Sequence, residues 1–486
     1  MSMSSQSKIN RRAFLGTIVG TVGGLAVGAV IGWYAKPAVS VVRTITKTVE
    51  KTTTIERTVA AQASTPGPTI KPTTLQFWYA ATELANPPER MEEVIKMFNK
   101  KYPQINIVHS YYGTTYETYE TALKAALSAG TGPDVFNTPG PTFTLDYIKS
   151  GWLLPLDDYI PMFEWDKKWR KFALSVHEGP DGKIYGCSGV FEGMVLYLNK
   201  PVFEKEGWEP PSTYSELLEL CEKAKKKGYI PIVMGYSDWP PGWEHQYSAI
   251  LEAAAGHDKV YEALTHRRSF DDKSFVDGIS MYKEDLWDNE YINHDAFTIG
   301  YVDFCSRLSN RQAAMTLMGT WVSATRYLVS PPYEVDVMQI PPWKKGVKAT
   351  IAVGVADSFV INAKTEHPEA AMAFWDFYTG PEIAAWAMRE GINQFIPRKD
   401  ITVPEDAEPL IKRTAEVLYK PKELGYVTWT FWPLETETLI WQKFPDVLLN
   451  KLTAADYCSM VAEQFEKDWN EGKALKSIPR PEEFGE

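Results

Sequence analysis

Apolar and polar positions along this chain follow two periods, and the two periods take turns. The run Thr74-Leu75-Gln76-Phe77-Trp78-Tyr79 has the β-branched and aromatic character of a strand. Asn86-Pro87-Pro88-Glu89 then supplies a capping side chain, a proline for the first helical position and an acid for the first turn. Met91, Val94, Ile95 and Phe98 follow at helical spacing, so a helix is predicted there. Residues 103–108 alternate as a second strand, and a second helix is predicted from about Tyr116 to Ala129, stopping at Gly130. Pro133-Asp134-Val135-Phe136 reads as a buried strand entering a loop. Strands alternating with helices predict an α/β layer with a parallel sheet. Such sheets bind ligands beyond the carboxyl ends of their strands. Asp134, Asn137 and Thr138 are expected at or near that edge.

A second α/β region begins near Tyr185. Residues 195–199 read as a strand, and Thr213-Tyr214-Ser215-Glu216 is a capping box opening a helix through Leu217, Leu218, Cys221 and Ala224. Residues 230–234 are strand-like, and residues 313–318 lead into Gly319-Thr320-Trp321. After a strand at 359–361, one helix is predicted over about 368–378 and another from Pro381. There is no internal repeat.

A length of 486 residues exceeds what one hydrophobic core fills, so two lobes are expected. The fold class is therefore α/β, two-lobed. Net charge is −11, from 51 basic and 62 acidic side chains. That excludes nucleic acid as the main partner, because phosphate binding runs on Lys and Arg. Seventeen Trp are more than core packing alone requires. Cys187, Cys221, Cys305 and Cys458 lie far apart with no CxxC or Cys/His cluster. Buried free thiols and one or two disulfides both remain open. The 7 His are scattered, and HExxH, G-x-S-x-G and P-loop motifs are absent. No metal, no cofactor and no catalysis are expected.

The N-terminus reads as an address. Arg11-Arg12-Ala13-Phe14-Leu15 followed by a glycine-rich apolar run resembles a twin-arginine export signal. The uncharged stretch from Ala13 to Ala35 is also long enough to cross a bilayer, with Lys8, Arg11 and Arg12 holding its start inside. Length favours a retained anchor over a cleaved signal, for which Ala61-Gln62-Ala63 is the nearest later site. Gly16, Gly20, Gly24, Gly28 and Gly32 recur every fourth residue. A stripe at that spacing winds round a helix, so ordinary glycine richness is the simpler reading than dimerisation. Residues 36–73 are rich in Thr and Val and close with prolines, as an extended stalk would.

Landmarks then fall in a familiar order: residues 75–78, 94–103, 128–135, Gly151-Trp152-Leu153-Leu154-Pro155-Leu156-Asp157, 181–186, 196–200, 211–217, Gly319-Thr320-Trp321 and Pro368-Glu369-Ala370-Ala371. Over roughly 300 residues this resembles extracellular solute-binding protein family 1, the maltose-binding protein relatives of ABC importers. The resemblance implies two lobes, residues 74–189 with 355–397 and residues 190–354 with 398–486, enclosing a ligand between them. Crossings are expected near residues 190–193, 353–355 and Pro397. It implies an extracytoplasmic protein, at the cell surface or in the periplasm. Its partners would be ABC permease transmembrane subunits, and the membrane through the N-terminal segment. The ligand would be a sugar or oligosaccharide.

By position, Asp134 matches a cleft acid, Glu192 a hinge glutamate and Trp321 a ring-stacking tryptophan; the region of Trp429 and Trp432 corresponds to a further stacking aromatic. Carboxylates and amides bond sugar hydroxyls, and aromatic faces cover the C–H face of the ring. Trp78, Tyr79, Tyr112, Trp239, Trp243 and Trp432 are further candidates, each with core packing as the competing reading. Asp357 and Asn393 are polar residues near element ends. Trp239-Pro240-Pro241-Gly242-Trp243 reads as an inserted loop, and residues 401–450 depart from the family pattern. Two other functions stay open: a tethered carbohydrate-binding sensor or adhesin, and a glycoside-acting enzyme using Asp134 and Glu192.

Overall fold

The computed structural model describes residues 70–80, 89–113, 116–348, 350–421 and 423–485. The expected signal or anchor, most of the stalk and the Asn86-Pro87-Pro88 cap lie outside the described residues. No helix among the described residues is long and apolar enough to cross a membrane.

Among the described residues nine strands form, in chain order β1 (Thr73–Tyr79), β2 (Ile105–Tyr111), β3 (Val135–Thr138), β4 (Gly186–Asn199), β5 (Ile230–Ile232), β6 (Ala313–Gly319), β7 (Val335–Met338), β8 (Ala352–Ile361) and β9 (Gly425–Tyr426). β2, β1 and β3 are parallel, and β8 and β4 continue this sheet antiparallel. The second sheet pairs β4 with β6 and β7 antiparallel, and β6 with β5 in parallel.

β4 belongs to both sheets. Residues up to Gly193 pair with β8, and Met194 onwards pairs with β6. All 14 residues of the strand are buried, the polar Ser188, Glu192 and Asn199 among them. The molecule is thus a two-lobed α/β protein whose sheets share one strand.

Several helices stand where periodicity puts them: Glu89–Lys101, Tyr116–Ala129, Tyr214–Lys226, Pro368–Tyr378 and Pro381–Arg389. The capping box forms, with Glu216 N–H donating to Thr213 Oγ1 at 3.2 Å and Thr213 N–H to Glu216 Oε2 at 3.2 Å.

Two expectations need correction, the inserted loop and the place of Asp134. The Trp-Pro-Pro-Gly-Trp stretch is not simply a loop, because the helix Gly242–Ala254 begins inside it and is buried along its whole length. Residues 401–450 are largely helical, with Pro409–Tyr419, Thr428–Phe431 and Leu434–Leu448 followed by Ala454–Asn470. Asp134 lies at the amino end of β3, away from the carboxyl edge, since Val135 pairs in parallel with Phe77 and the strand runs on to Thr138. The four cysteines are buried free thiols.

Candidate functional site

The crossing strand sets the site. Glu192 lies directly opposite Gly354 of β8, and opposed residues of an antiparallel pair present their side chains to one face. Any side chain at 354 would meet Thr430 Oγ1 at 2.1 Å and Val427 Cγ2 at 2.4 Å. The short helix Thr428–Phe431 therefore lies on the same face as Glu192. Thr430 fastens it, its hydroxyl accepting from Val355 N–H at 2.8 Å and donating to Val355 O at 3.0 Å. Glu192 is buried and accepts from Asn393 Nδ2 at 2.7 Å. Asn393 Oδ1 is buried and finds no hydrogen-bond partner among the described residues. The chain near Asn393 is held to the crossing by the Phe191 amide, which donates to Phe395 O at 2.5 Å.

One residue further along β4, Gly193 bonds Thr320, and this places Trp321 at the same crossing. Trp321 folds back over Gly319, where an added Cβ would stand 1.9 Å from its ring. Only 9% of Trp321 is exposed. Its ring meets Trp239 edge-on at 5.9 Å and Trp429 at 5.9 Å, with His245 at 5.1 Å. His245 in turn lies 4.6 Å from Trp239 and 4.3 Å from Trp429. Three tryptophans from three segments thus surround one imidazole. Burial pushes His245 down to about 3, so it is neutral at physiological pH. Trp429 Nε1 is buried and unpartnered among the described residues.

The first sheet contributes its carboxyl edge. Thr138, the last residue of β3, and Thr142 both carry buried hydroxyls that find no partner among the described residues. The helix Pro141–Lys149 packs against Thr428–Phe431. Next to Thr138, Asn137 is fully buried; it bonds Ala80 in both directions and donates to Tyr116 Oη at 2.9 Å and Asp357 Oδ1 at 3.3 Å. The Tyr116 hydroxyl donates to Asp357. Asp357 sits at φ 53, a left-handed conformation uncommon for a side-chain-bearing residue, and its amide donates to Pro139 O at 3.2 Å. Trp78 and Tyr112 pair at 5.1 Å, both partly buried, on the face of the sheet that carries Tyr119 and Phe136.

Four of the sequence-derived candidates stand apart from this assembly. Asp134 accepts from Gln76 N–H at 2.8 Å and from Thr365 Oγ1 at 2.6 Å, so its carboxylate ties β1 to the turn after β8. Tyr79 follows Trp78 and therefore faces the opposite side of the sheet; it is fully buried, stacked on Phe77 and hydrogen-bonded to His109. Trp243 packs against Tyr236 at 4.7 Å and Phe297 at 5.1 Å in the core. Trp432 is fully buried against Phe270. His245, Thr142 and the unpartnered edge of Asn393 complete the assembly but carry no spacing signal in the sequence. His245 became visible only once Trp239, Trp321 and Trp429 met around it.

Chemically, the crossing offers flat apolar faces beside unpartnered hydrogen-bonding groups. That combination suits a solute with hydroxyls and C–H faces. No group of three or more His, Cys, Asp or Glu among the described residues could hold a metal.

Known proteins resemble the chain in sequence and in fold. An uncharacterized ABC transporter extracellular-binding protein of Pyrococcus horikoshii is 27% identical over 332 residues, covering 67% of this chain and 71% of that protein. A maltotriose-binding protein of Pyrococcus abyssi is 28% identical over 275 residues, 54% of each chain. In fold, the chain resembles a solved chitin oligosaccharide binding protein with a TM-score of 0.69, at 23% identity, over 81% of this chain and 98% of that one. Residues 81–385, more than half of the chain, match the family model described as bacterial extracellular solute-binding protein. The chain belongs to the bacterial extracellular solute-binding protein family.

Proposed function

We propose that this chain is the substrate-binding subunit of an ABC importer, and that it captures a sugar or oligosaccharide between its lobes for delivery to a membrane permease. The observation that carries the reading is the meeting of Glu192 and Asn393 with Trp321, Trp239 and Trp429 where β4 passes between sheets. A solute lying there touches both sheets at once. On the side of the first sheet, the partly buried Trp78 and Tyr112 are assigned to its approach, while the buried Asn137 and Asp357 hold the Tyr116 hydroxyl. The lobes are assigned as residues 74–189 with 355–397 and 190–354 with 398–486. The change of strand partner after Gly193 supports that division.

Ligand that bonds groups on both lobes favours the closed arrangement, because its contacts are complete only there. Function is then a shift of population, and no bond of the solute changes. The names of the relatives, maltotriose-binding and chitin oligosaccharide binding, support an oligosaccharide as cargo. The twin arginines and the uncharged run from Ala13 to Ala35 support export followed by tethering to the membrane outside the cytoplasm.

The test is a thermal-shift screen of the purified full chain against mono- and oligosaccharides, with the solutions then analysed for cleavage products. A ligand that binds only the native state raises the unfolding temperature. Stabilisation by one saccharide class without turnover is the expected result. Stabilisation by none, or hydrolysis of the saccharide that binds, overturns the reading.

A further inference from the structure

The helix Gly242–Ala254 is buried along its whole length, yet it carries Glu244, Ser248 and Glu252. These three fall four residues apart and so form one stripe on one face. Buried polar groups need partners, and outside the helix itself every partner of this stripe but Thr350 belongs to a single short stretch, residues 426–437. Glu252 Oε1 accepts from Tyr426 N–H at 2.9 Å, while its other oxygen bonds the Thr350 hydroxyl at 3.1 Å. Ser248 Oγ accepts from Thr428 N–H at 2.9 Å and lies 3.2 Å from Thr428 Oγ1. Glu244 faces the carboxyl of Glu437 on the helix Leu434–Leu448, and burial together with that second carboxyl pushes Glu244 up. Between these fastenings stands Trp429, against whose ring His245 of the same helix packs.

We propose that Ser248 and Glu252 are positioning residues that set the backbone carrying Trp429 and thereby the aromatic wall of the cleft. The proposal rests on the assignment of the strand crossing as the ligand site. Neither residue touches the crossing itself; each acts through the backbone on one side of Trp429, at Thr428 and at Tyr426.

Glu252 adds a dependence on pH. Burial pushes it up to about 8, so its carboxyl is protonated at neutral pH. Asp258, on the next helix, His257–Leu264, adds to the effect, while Glu482 and Glu483 act on the neighbouring Tyr426. His257 stands among Asp258, Glu423, Lys348 and Glu482. As pH rises through about 8, the anion that forms holds the Tyr426 amide more strongly, and the Trp429 position is expected to follow.

The experiment labels the full chain with 5-fluorotryptophan and follows the Trp429 resonance by fluorine NMR, assigned by its loss in Trp429→Phe. Ser248→Ala and Glu252→Leu are expected to shift it while leaving Trp152, which packs on Tyr147, in place. Glu252→Gln is expected to keep the native shift near pH 6.5 and to abolish a titration step near pH 8. Because glutamine keeps the shape of the site, that variant serves even where Glu252→Leu fails to fold. Trp429 unmoved in Ser248→Ala and Glu252→Leu, or a pH step surviving in Glu252→Gln, overturns the proposal. With maltotriose and chitotriose as probes, Ser248→Ala should weaken whichever the native chain binds by roughly 10-fold, about one net hydrogen bond. Affinity unchanged in Ser248→Ala counts against the positioning role. Failure of the native chain to bind any saccharide sinks the functional reading instead, since the fluorine measurement needs no ligand.

Discussion

Gly193 and Thr320, 127 residues apart in the chain, hold each other by two hydrogen bonds. The Thr320 amide donates to the Gly193 carbonyl at 3.0 Å, and the Gly193 amide donates to the Thr320 hydroxyl at 3.3 Å. The pair fixes Glu192 on one side and Trp321 on the other as neighbours at a single crossing. A carboxylate and a flat apolar ring thus share one rigid frame, whose strands belong to both sheets.

Glu192 keeps its orientation through Asn393, which donates to it at 2.7 Å. Replacing the carboxylate by an amide turns one acceptor into a donor while keeping the shape. Glu192→Gln is expected to weaken saccharide binding roughly 10-fold, about the worth of one charge-assisted hydrogen bond, with little change in unfolding temperature. Calorimetry alongside thermal denaturation checks both halves of the statement.

Gly319 leaves no room for a side chain beneath Trp321, where a Cβ would come within 1.9 Å of the ring. Gly319→Ala must push that ring out of its place. Affinity is expected to fall about 10-fold or more, since a misplaced anchor loses most of its contact. A difference in near-ultraviolet circular dichroism should accompany the loss. An alanine variant with native affinity would mean that the ring position is immaterial.

Much of the frame was legible in the sequence because it rests on local signals. The Thr213–Glu216 capping box, the spacing of Met91, Val94, Ile95 and Phe98, and the run at 195–199 each declare an element on their own. The side chains that gather at the crossing were legible only in part. Glu192 and Trp321 stood beside recognisable landmarks, whereas Asp134 was misplaced because strand polarity, which decides which end of β3 faces the other lobe, is a property of the sheet. Tyr79 and Trp78 differ by one residue and therefore by one face, which the aromatic run Phe77-Trp78-Tyr79 does not disclose. Trp243 and Trp432 could not be told from Trp239 and Trp429 without knowing how the buried helix Gly242–Ala254 turns.

Stability should depend on pH with two opposed limbs. His177 and His245 are buried and pushed down to about 3 from an ordinary 6.5, so below 6.5 the unfolded chain binds protons that the native state refuses. Stability falls as pH drops through that window. Glu252 has the other sign: the native state keeps its proton up to about 8, whereas the unfolded chain releases it near 4.5. Its contribution is complete below 4.5 and lost as pH rises through about 8. Urea denaturation across this range is expected to peak between the limbs, and Glu252→Gln should flatten the alkaline one. A native profile still rising from neutrality to pH 9 would contradict the burial of Glu252.

The N-terminal run from Ala13 to Ala35 is expected to keep the mature chain on the membrane. Intact-mass measurement on the carbonate-washed membrane fraction should find residues 13–35 still attached. A soluble product beginning after Ala63 would instead mark a cleaved signal.

Trp321 is assigned as one wall of the solute site. Isothermal titration of native chain and Trp321→Ala with the saccharide that stabilises the native chain most tests it directly. A buried aromatic anchor of this kind is worth about 2 kcal/mol or more, so affinity should drop roughly 30-fold while far-ultraviolet circular dichroism stays native. Equal affinity in a folded Trp321→Ala variant would contradict it.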